Sequence, residues 1–394
     1  MRVALIGGGV IGAGWAARLV LNGIDVTLCD PDPQAPRKVD EVLANAERAY
    51  RRLTMAPLPQ PGALRFAAEV EEAVTGAGFV QESAPEREEV KIPLLARIDR
   101  ACPPEVVVAS STSGLRPTRL QAEMRHPERF TVGHPFNPVY LLPLVEVCGG
   151  ERTSEATKER AAAFYRGLGM HPLVLRREID GFLADRLMEA LWREALHLVS
   201  DDVATVEELD DAVRYGCGLR WAIVGTFLTY RIAGGEAGMR HFLAQFGPAL
   251  KLPWTRLEAP ELTDEVIEKI VAQSDAQAGG RSVRELERLR DDCLVGVMQA
   301  LRAQDWGAGA VLAAYTERLY GLSHAGAAAR EHDLSRPLRL HAATVPGDWI
   351  DYNGHMNESR YLQVFSDASD ALLRLIGVDE DYLARGFSWF TVET

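Results

Sequence analysis

Residues 5–12 read Leu-Ile-Gly-Gly-Gly-Val-Ile-Gly, and this stretch decides the fold of the N-terminal part of the chain. The apolar run of residues 3–6 leads into it, and an apolar pattern with helical spacing follows over residues 13–21. The glycines match G-x-G-x-x-G, which allows a tight turn, a close approach of the backbone to a pyrophosphate and close packing of the helix on the strand. The stretch therefore predicts a strand, a turn and a helix that bind a dinucleotide.

An acidic residue ends the next apolar run. Asp30 follows residues 25–29, and a carboxylate at this position accepts hydrogen bonds from an adenosine ribose. Pro31 and Asp32 come next, and the first cation after them is Arg37. A 2′-phosphate would meet carboxylates here, so the sequence predicts NAD rather than NADP. The residues expected to hold the cofactor in this region are Gly7, Gly9, Val10, Ile11, Gly12 and Asp30.

The composition excludes several classes of protein. A chain of 394 residues that is 47% hydrophobic predicts two or three domains. The net charge of -13 argues against nucleic acid and anionic membranes as partners, and it disfavours a polyanionic substrate. The five cysteines are dispersed without a C-x-x-C pair, and no apolar run approaches the length of a membrane span. The first strand begins at Arg2, which leaves no room for a signal peptide. We therefore expect a cytoplasmic protein with no metal site.

The pattern along the chain predicts an α/β fold followed by an all-α domain. Short apolar runs alternate with helical segments and indicate a Rossmann-type, doubly wound and mostly parallel sheet. These runs are residues 3–6, 26–29, 79–82, 106–110, 131–134 and 144–148. From Asp180 onward, apolar residues recur at helical spacing, and helices are predicted over residues 180–199, 205–214, 264–273 and 283–302. The predicted domains are 1–179 for NAD, 180–320 for substrate and dimerisation, a linker at 321–337, and a separate segment at 338–394.

Three polar residues at strand ends form a candidate catalytic set. Ser113 follows one predicted strand, His134 follows another within Gly-His-Pro-Phe-Asn-Pro, and Glu146 is the one acid inside the apolar strand 144–148. An imidazole beside a nicotinamide can remove a hydroxyl proton, and a carboxylate on its other nitrogen fixes the tautomer. Taken alone, a histidine such as His134 is more often a hydrogen-bonded loop residue, and an acid such as Glu146 more often pairs with an arginine. Together they indicate a dehydrogenase site.

These motifs together resemble the 3-hydroxyacyl-CoA dehydrogenase family over roughly residues 1–320. The resemblance implies that His134 and Glu146 are the catalytic pair and that Ser113 bonds the substrate oxygen. It implies further cofactor-binding residues, namely Glu86, Lys91, Ser113 and Asn137. It also implies a homodimer formed through residues 180–320. A redox-inactive, NAD-binding structural protein is the alternative outside enzymes.

Three departures from the family pattern point away from CoA esters. Asp185 stands where the family usually has Asn, before Arg186 and Leu187. The long helical insertion that contacts CoA is reduced to one modest helix after the second strand. Residues 216–222, Gly-Cys-Gly-Leu-Arg-Trp-Ala, resemble the branch of the family that acts on small free hydroxy acids.

The C-terminal segment resembles the start of a hotdog-fold thioesterase. Asp351 begins Asp-Tyr-Asn-Gly-His-Met-Asn, an amphipathic helix follows over residues 359–376, and the resemblance makes Asp351 a vestigial catalytic carboxylate. A hotdog sheet needs about five strands, and the sequence up to Thr394 offers only one or two. We therefore expect this α+β segment to be partial, unable to hydrolyse thioesters, and either mobile or packed against the dehydrogenase body or a neighbouring chain. The combination resembles the branch of the family that oxidises the 3-hydroxyl of L-carnitine.

L-Carnitine implies particular pocket residues. Its quaternary ammonium favours aromatic rings with carboxylate support, and its carboxylate favours an arginine. The candidates are Phe136, Asp185, Trp192, Arg220 and Trp221, with Tyr140 and Phe227 as further aromatic residues. Each of these aromatic residues fits the protein core or the dimer interface as well, and Arg220 fits an interface ion pair. The alternative enzymes are an L-gulonate 3-dehydrogenase, whose sugar acid needs a polar pocket, and a 3-hydroxybutyryl-CoA dehydrogenase.

Overall fold

One eight-stranded sheet organises the N-terminal part of the chain in the computed structural model. Its strands are β1 Arg2–Ile6, β2 Asp25–Cys29, β3 Leu64–Ala67, β4 Phe79–Glu82, β5 Val107–Ser110, β6 Phe130–Pro135, β7 Leu144–Cys148 and β8 His171–Val174. The order across the sheet is β3-β2-β1-β4-β5-β6-β7-β8, and β6 and β7 form its antiparallel pair. The other neighbours are parallel. The prediction of a doubly wound, mostly parallel sheet is confirmed.

Sequence reasoning missed the two edge strands, β3 and β8. In β3 the middle residues, Arg65 and Phe66, are both exposed, so the strand lacks the apolar run that marks a buried strand. In β8 both end residues are exposed, and Pro172 lies inside the strand. Proline cannot donate to a sheet ladder and is tolerated at edges.

Helices cover both faces of the sheet. They are α1 Val10–Leu21, α2 Ala35–Leu53, α3 Val70–Val74, α4 Glu88–Ala101, α5 Pro117–Leu120 and α6 Glu155–Gly167. Side chains alternate along β1: Leu5 packs in one core with Trp15 and Tyr165, whereas Ile6 packs in the other with Leu95. This period of two buries both faces of the strand, as a doubly wound fold requires.

Between residues 183 and 327 the described part of the chain is built of helices, and the prediction of an all-α second domain is confirmed. They are α7 Ala184–Ser200, α8 Val206–Ala212, a π-helical segment Val213–Cys217, α9 Gly218–Ala233, α10 Gly238–Phe246, α11 Val283–Arg302 and α12 Ala308–Ala327. The helix predicted over 283–302 has those bounds. The first part of the linker predicted at 321–337 is helical, because α12 continues to Ala327. Alanine and leucine there favour helix more than the small, polar composition favours a loop.

The structure describes residues 1–54, 56–234, 236, 238–248, 252–255, 263–265, 268, 279–327, 345, 349, 356 and 358–375. The chain divides into two units, Met1–Leu53 with Gln60–Tyr315, and Thr54–Pro59 with Thr316–Thr394. In the second unit, α13 spans Glu358–Leu375, and the Arg360 guanidinium lies 4.9 Å from the ring centroid of Trp349. Asp351 and most of the predicted hotdog segment, 338–394, lie outside the described residues, as does most of the helix predicted over 264–273. Within the described part of the chain, no helix is long and apolar enough to cross a bilayer.

Candidate active site

The glycine-rich turn between β1 and α1 leaves open space in front of a helix N-terminus. Gly7 has a φ of 103°, in the left-handed region that favours glycine. A Cβ on Gly12 would lie 1.9 Å from the carbonyl oxygen of Gly7, so only glycine lets α1 begin this close to β1. At Gly9 a Cβ would meet no described atom within 4 Å. Val10 is exposed and Ile11 is half-buried beside it. Free N–H groups at such a helix end bind phosphate.

The carboxylate of Asp30 is held at the end of β2 by backbone groups. Its Oδ2 accepts a hydrogen bond from Gly8 N at 2.6 Å, and its Oδ1 accepts one from Asp32 N at 2.7 Å. The nearby cations are paired with acids: Lys38 lies 2.6 Å from Asp32, and Arg37 pairs with Glu41. The turn and the acid therefore fit a dinucleotide with a free ribose 2′-hydroxyl.

The antiparallel pairing of β6 and β7 places His134 directly opposite Glu146. His134 Nδ1 lies 3.0 Å from Glu146 Oε2, so the predicted hydrogen bond is present. Both side chains are buried, and the Glu146 residue has no solvent exposure. Pairing in register, rather than loop flexibility, sets the distance between the two groups.

The second oxygen of Glu146 holds the start of α7. Glu146 Oε1 accepts hydrogen bonds from Leu183 N and Ala184 N, each at 3.0 Å. Burial raises the pKa of Glu146, but the hydrogen bonds from His134, Ala184 and Leu183 outweigh burial and hold this pKa below its ordinary value. Glu146 is therefore an ionised acceptor, and Nδ1 of a neutral His134 carries the proton. The lone pair of His134 then lies on Nε2.

Besides Glu146, two aromatic rings and a second carboxylate lie next to the His134 ring. The ring centroids of Phe136 and Phe182 lie 4.8 Å and 5.9 Å from that of His134. Phe182 is fully buried and has a φ of 46°, next to Gly181 with a φ of 71°. Asp185 Oδ2 lies 3.7 Å from His134 Nε2. Sequence reasoning had proposed Phe136 and Asp185 as substrate residues, and the structure brings both to the histidine.

Glu86 holds the turn that carries Ser113. Its Oε1 accepts hydrogen bonds from Thr112 Oγ1 at 2.5 Å, Ser113 N at 2.8 Å and Gly114 N at 3.2 Å. Ser113 is exposed just after β5, which pairs with β6 in parallel. Ser113 and His134 therefore stand at the same carboxyl edge of the sheet, where open α/β sheets bind ligands.

The two other predicted cofactor residues lie at different depths. Lys91 is fully buried, and its Nζ donates to Glu82 Oε1 at 2.8 Å and to the Ala84 carbonyl at 2.9 Å. This buried ammonium therefore fixes the position of the loop that follows β4 and contains Ala84. Asn137 instead lines a cleft with Val10 and Tyr140. The roles of both residues in cofactor binding stay predictions.

Comparison with known proteins places these features in a family. Residues 2–179 match the model of the 3-hydroxyacyl-CoA dehydrogenase NAD-binding domain, and residues 181–279 match that of its C-terminal domain. A Rhizobium protein named L-carnitine dehydrogenase/betainyl-CoA thioesterase is 56% identical over 400 residues, which cover 100% of this chain and 80% of that protein. This chain belongs to the 3-hydroxyacyl-CoA dehydrogenase family. Its cofactor is NAD, as the sequence predicted.

Other comparisons extend over different parts of this dehydrogenase. Residues 345–394 match the thioesterase-like superfamily. The L-carnitine dehydrogenase of Pseudomonas aeruginosa is 58% identical over 299 residues, which cover 76% of this chain and 93% of that protein. The solved structure of an NAD-dependent 5-formyl-3-hydroxy-2-methylpyridine 4-carboxylic acid 5-dehydrogenase superposes with a TM-score of 0.64 at 30% identity, covering 76% of this chain and 98% of that one.

Sequence reasoning missed Arg18, which holds the loop after His134 in place. The buried Arg18 of α1 donates to the carbonyls of Val139, Leu142 and Leu168 at 2.7 Å, 3.2 Å and 2.8 Å. A charged residue within an apolar helical pattern was the signal that could have found it.

A second set of missed residues fixes Tyr140. Its hydroxyl accepts from Asn45 Nδ2 at 2.8 Å and donates to Asp291 Oδ2 at 2.6 Å. Asn45 and Asp291 belong to α2 and α11, where a polar residue usually marks a solvated face, so the sequence carried no signal for them. Because this hydroxyl is engaged and the ring is buried, Tyr140 supports the loop.

The remaining predicted substrate residues lie away from the histidine. Trp192 is two turns after Asp185 on the same face of α7 and is 53% exposed. Arg220 and Trp221 are exposed on α9, where Phe227 is also exposed. Among the described residues, none of these four forms a hydrogen bond, ion pair or ring contact with His134. Their roles in substrate binding stay predictions.

Proposed function

We propose that this chain oxidises the 3-hydroxyl of L-carnitine with NAD as the hydride acceptor. Relatives that are 55–58% identical carry the name L-carnitine dehydrogenase, alone or with betainyl-CoA thioesterase. The observation that carries the proposal is the buried His134–Glu146 pair, whose Nε2 is left to accept a proton. A secondary alcohol that loses a proton to a base and a hydride to NAD becomes a ketone.

In this reaction His134 Nε2 accepts the hydroxyl proton. Glu146 stabilises the imidazolium that forms, because its carboxylate lies 3.0 Å from the opposite ring nitrogen. Ser113, fixed by Glu86, is assigned to hydrogen bond the substrate oxygen. Bound NAD supplies the acceptor for the hydride, and Gly7, Gly9, Gly12 and Asp30 are the residues assigned to hold it.

The surroundings of His134 favour L-carnitine over the alternative substrates. Phe136 and Phe182 present apolar rings beside the base, whereas a sugar acid such as L-gulonate needs several hydroxyl partners. The acidic side chains of Glu86 and Asp185 disfavour the phosphates of a CoA ester.

The test is NADH formation by the purified chain with four substrates: L-carnitine, D-carnitine, L-gulonate and 3-hydroxybutyryl-CoA. We expect the highest kcat/KM with L-carnitine. A higher kcat/KM with L-gulonate or with the CoA ester would assign the chain to that substrate and reject the proposal.

We also propose that the protein is a cytoplasmic homodimer. The apolar surface exposed on α7 and α11 is larger than one small helical domain needs. A second copy of the chain would cover it. The exposed apolar side chains are Leu187, Met188 and Leu191 on α7, and Leu289 and Val297 on α11. All five cysteines are free thiols, which suits a reducing compartment. Cell fractionation with an antibody to the chain tests the location.

A further inference from the structure

The nitrogen that accepts the substrate proton faces a second carboxylate. Asp185 Oδ2 lies 3.7 Å from His134 Nε2, while Glu146 occupies Nδ1 on the other side of the ring. Asp185 is the second residue of α7, and its side chain is 19% exposed. Because Glu146 Oε1 binds the backbone at Leu183 and Ala184, the group that fixes the tautomer of His134 also fixes the position of Asp185.

This arrangement leaves two acceptors facing each other. A neutral His134 has its proton on Nδ1, so Nε2 presents a lone pair toward the Asp185 carboxylate, and no proton is shared between them. Burial raises the pKa of Asp185, His134 opposes this increase, and Glu146, Glu189 and Glu86 add to it. The space beside Nε2 is therefore suited to a molecule that brings both a hydroxyl proton and a positive charge.

We propose that Asp185 determines specificity for a cationic substrate by holding its trimethylammonium group while His134 accepts the proton of the adjacent hydroxyl. This inference rests on the proposed function. In L-carnitine one methylene separates the quaternary nitrogen from the carbinol carbon, so the nitrogen and the hydroxyl oxygen lie within about 4 Å of each other. That span matches the 3.7 Å between Nε2 and Oδ2. A hydroxyl on His134 therefore brings the cation to Asp185.

The same contact sets the enantiomer. The carbinol carbon of carnitine carries one arm that ends in the ammonium and another that ends in a carboxylate. With the hydroxyl on His134 and the carbinol hydrogen facing the hydride acceptor, L- and D-carnitine differ only in which arm points toward Asp185. The wrong enantiomer directs its carboxylate at another carboxylate, and this repulsion disfavours it.

The decisive variant is Asp185→Asn, which keeps the size of the side chain and places there the residue that the family usually has. The paired substrates are L-carnitine and 3-hydroxy-5,5-dimethylhexanoate of the same configuration, in which tert-butyl replaces trimethylammonium. We expect kcat/KM for L-carnitine to fall about 50-fold, mainly through KM, because a partly buried charge contact is lost. For the neutral analogue, kcat/KM should stay within about threefold. The preference for L- over D-carnitine should shrink.

Glu189→Gln is the matched control, since it removes an equal charge one turn further along α7. It should change kcat/KM for L-carnitine by less than about threefold, as expected for an exposed charge. If the Asp185→Asn variant does not fold, inhibition of the wild-type protein tests the same inference. Choline should inhibit at least about tenfold more strongly than 3,3-dimethyl-1-butanol, its neutral analogue.

Equal losses with L-carnitine and with the neutral analogue in Asp185→Asn would show a structural role and overturn the inference. So would an unchanged ratio between the two substrates, or equal inhibition by choline and its analogue. A wild-type chain that forms no NADH with L-carnitine would instead reject the proposed function itself.

Discussion

At the scale of single residues, the structure explains why some functions could be predicted from the sequence. His134 and Glu146 lie on neighbouring strands, so their pairing follows from strand register, and the motif around His134 pointed to it. Asp185 was recognised as a departure from the family pattern, but its position beside Nε2 depends on how Glu146 holds the start of α7. Contacts of that kind are tertiary and leave no local pattern.

Replacing the base should stop the reaction without disturbing the cofactor. His134→Ala should lower kcat about a thousandfold, because the hydroxyl proton has no acceptor. The affinity for NADH, measured by fluorescence titration, should stay within about twofold, since the glycine turn follows β1 and Asp30 follows β2, whereas His134 lies in β6. Near-normal turnover by this variant would contradict the assignment of the base.

Glu146→Gln should lower kcat and move the acidic limb of the pH–rate profile to lower pH, because the imidazolium loses its stabilising charge. An amide has one acceptor oxygen, so it cannot serve both His134 and the start of α7. The ordinary pKa of Glu146 is 4.5 and its value here is lower, so its ionised form stabilises the fold above pH 4.5 and loses that effect as pH falls further. The difference in unfolding free energy between the two proteins should therefore narrow in acid. An unshifted pH profile would count against this pairing.

Asp30→Ala should reduce the preference for NAD over NADP about tenfold or more, measured as the ratio of kcat/KM values. The substitution removes a hydrogen-bond acceptor for the ribose and a negative charge that repels a 2′-phosphate. Asp25→Ala is the control, because Asp25 begins the same strand at its opposite end. An Asp30→Ala protein with an unchanged ratio would show that another residue selects the cofactor.

At the scale of elements, long periodic segments were predictable and boundaries near the site were not. The helix over 283–302 has the predicted bounds, whereas α7 begins at Ala184 rather than at residue 180. Gly181 and Phe182 both have positive φ values, and Asp180 pairs with Arg116 at 2.6 Å. These contacts outweigh the helical spacing of residues 180–183. The irregular stretch is what delivers Phe182 to the His134 ring.

The loop that follows β6 depends on α1 through Arg18. Arg18→Leu should lower the free energy of unfolding by about 3 kcal/mol, because buried carbonyls of Val139, Leu142 and Leu168 lose their donors. Activity should fall as well, since Asn137 and Tyr140 lie in this loop. Urea unfolding measures the first effect. The exposed Arg166 is the control, and Arg166→Leu should change the unfolding free energy by about 0.5 kcal/mol or less. Equal stabilities of the two variants would contradict the role of Arg18.

At the scale of the whole molecule, the order of sheet and helices followed from the sequence because hydrophobic period distinguishes strand from helix. The edge strands β3 and β8 did not follow, because they are protected on one side only and lack an apolar run. The proposal that aromatic residues of the helical domain enclose the substrate stays a prediction. Among the described residues, neither Trp192 nor Trp221 forms a ring contact with His134.

Assembly is tested by disrupting the exposed apolar face of α7. The double variant Leu187→Glu, Leu191→Glu should convert a dimer of the full chain to a monomer, as measured by light scattering after gel filtration. Charges placed in an apolar interface cost several kcal/mol. Val203→Glu is the control, because Val203 is an exposed apolar residue outside α7 and α11 and should leave the dimer intact. A wild-type monomer would reject the proposed dimer.

The antiparallel register of β6 and β7 also restricts which insertions and deletions this chain can accept during evolution. Side chains alternate faces along a strand, so inserting or deleting one residue in either strand would turn His134 or Glu146 to the opposite face. Residues 136–143, which connect the two strands, form no strand, so the number of residues there does not decide which face His134 or Glu146 points to. A change in the length of this loop therefore leaves Glu146 opposite His134, whereas β6 and β7 can accept substitutions but not insertions or deletions.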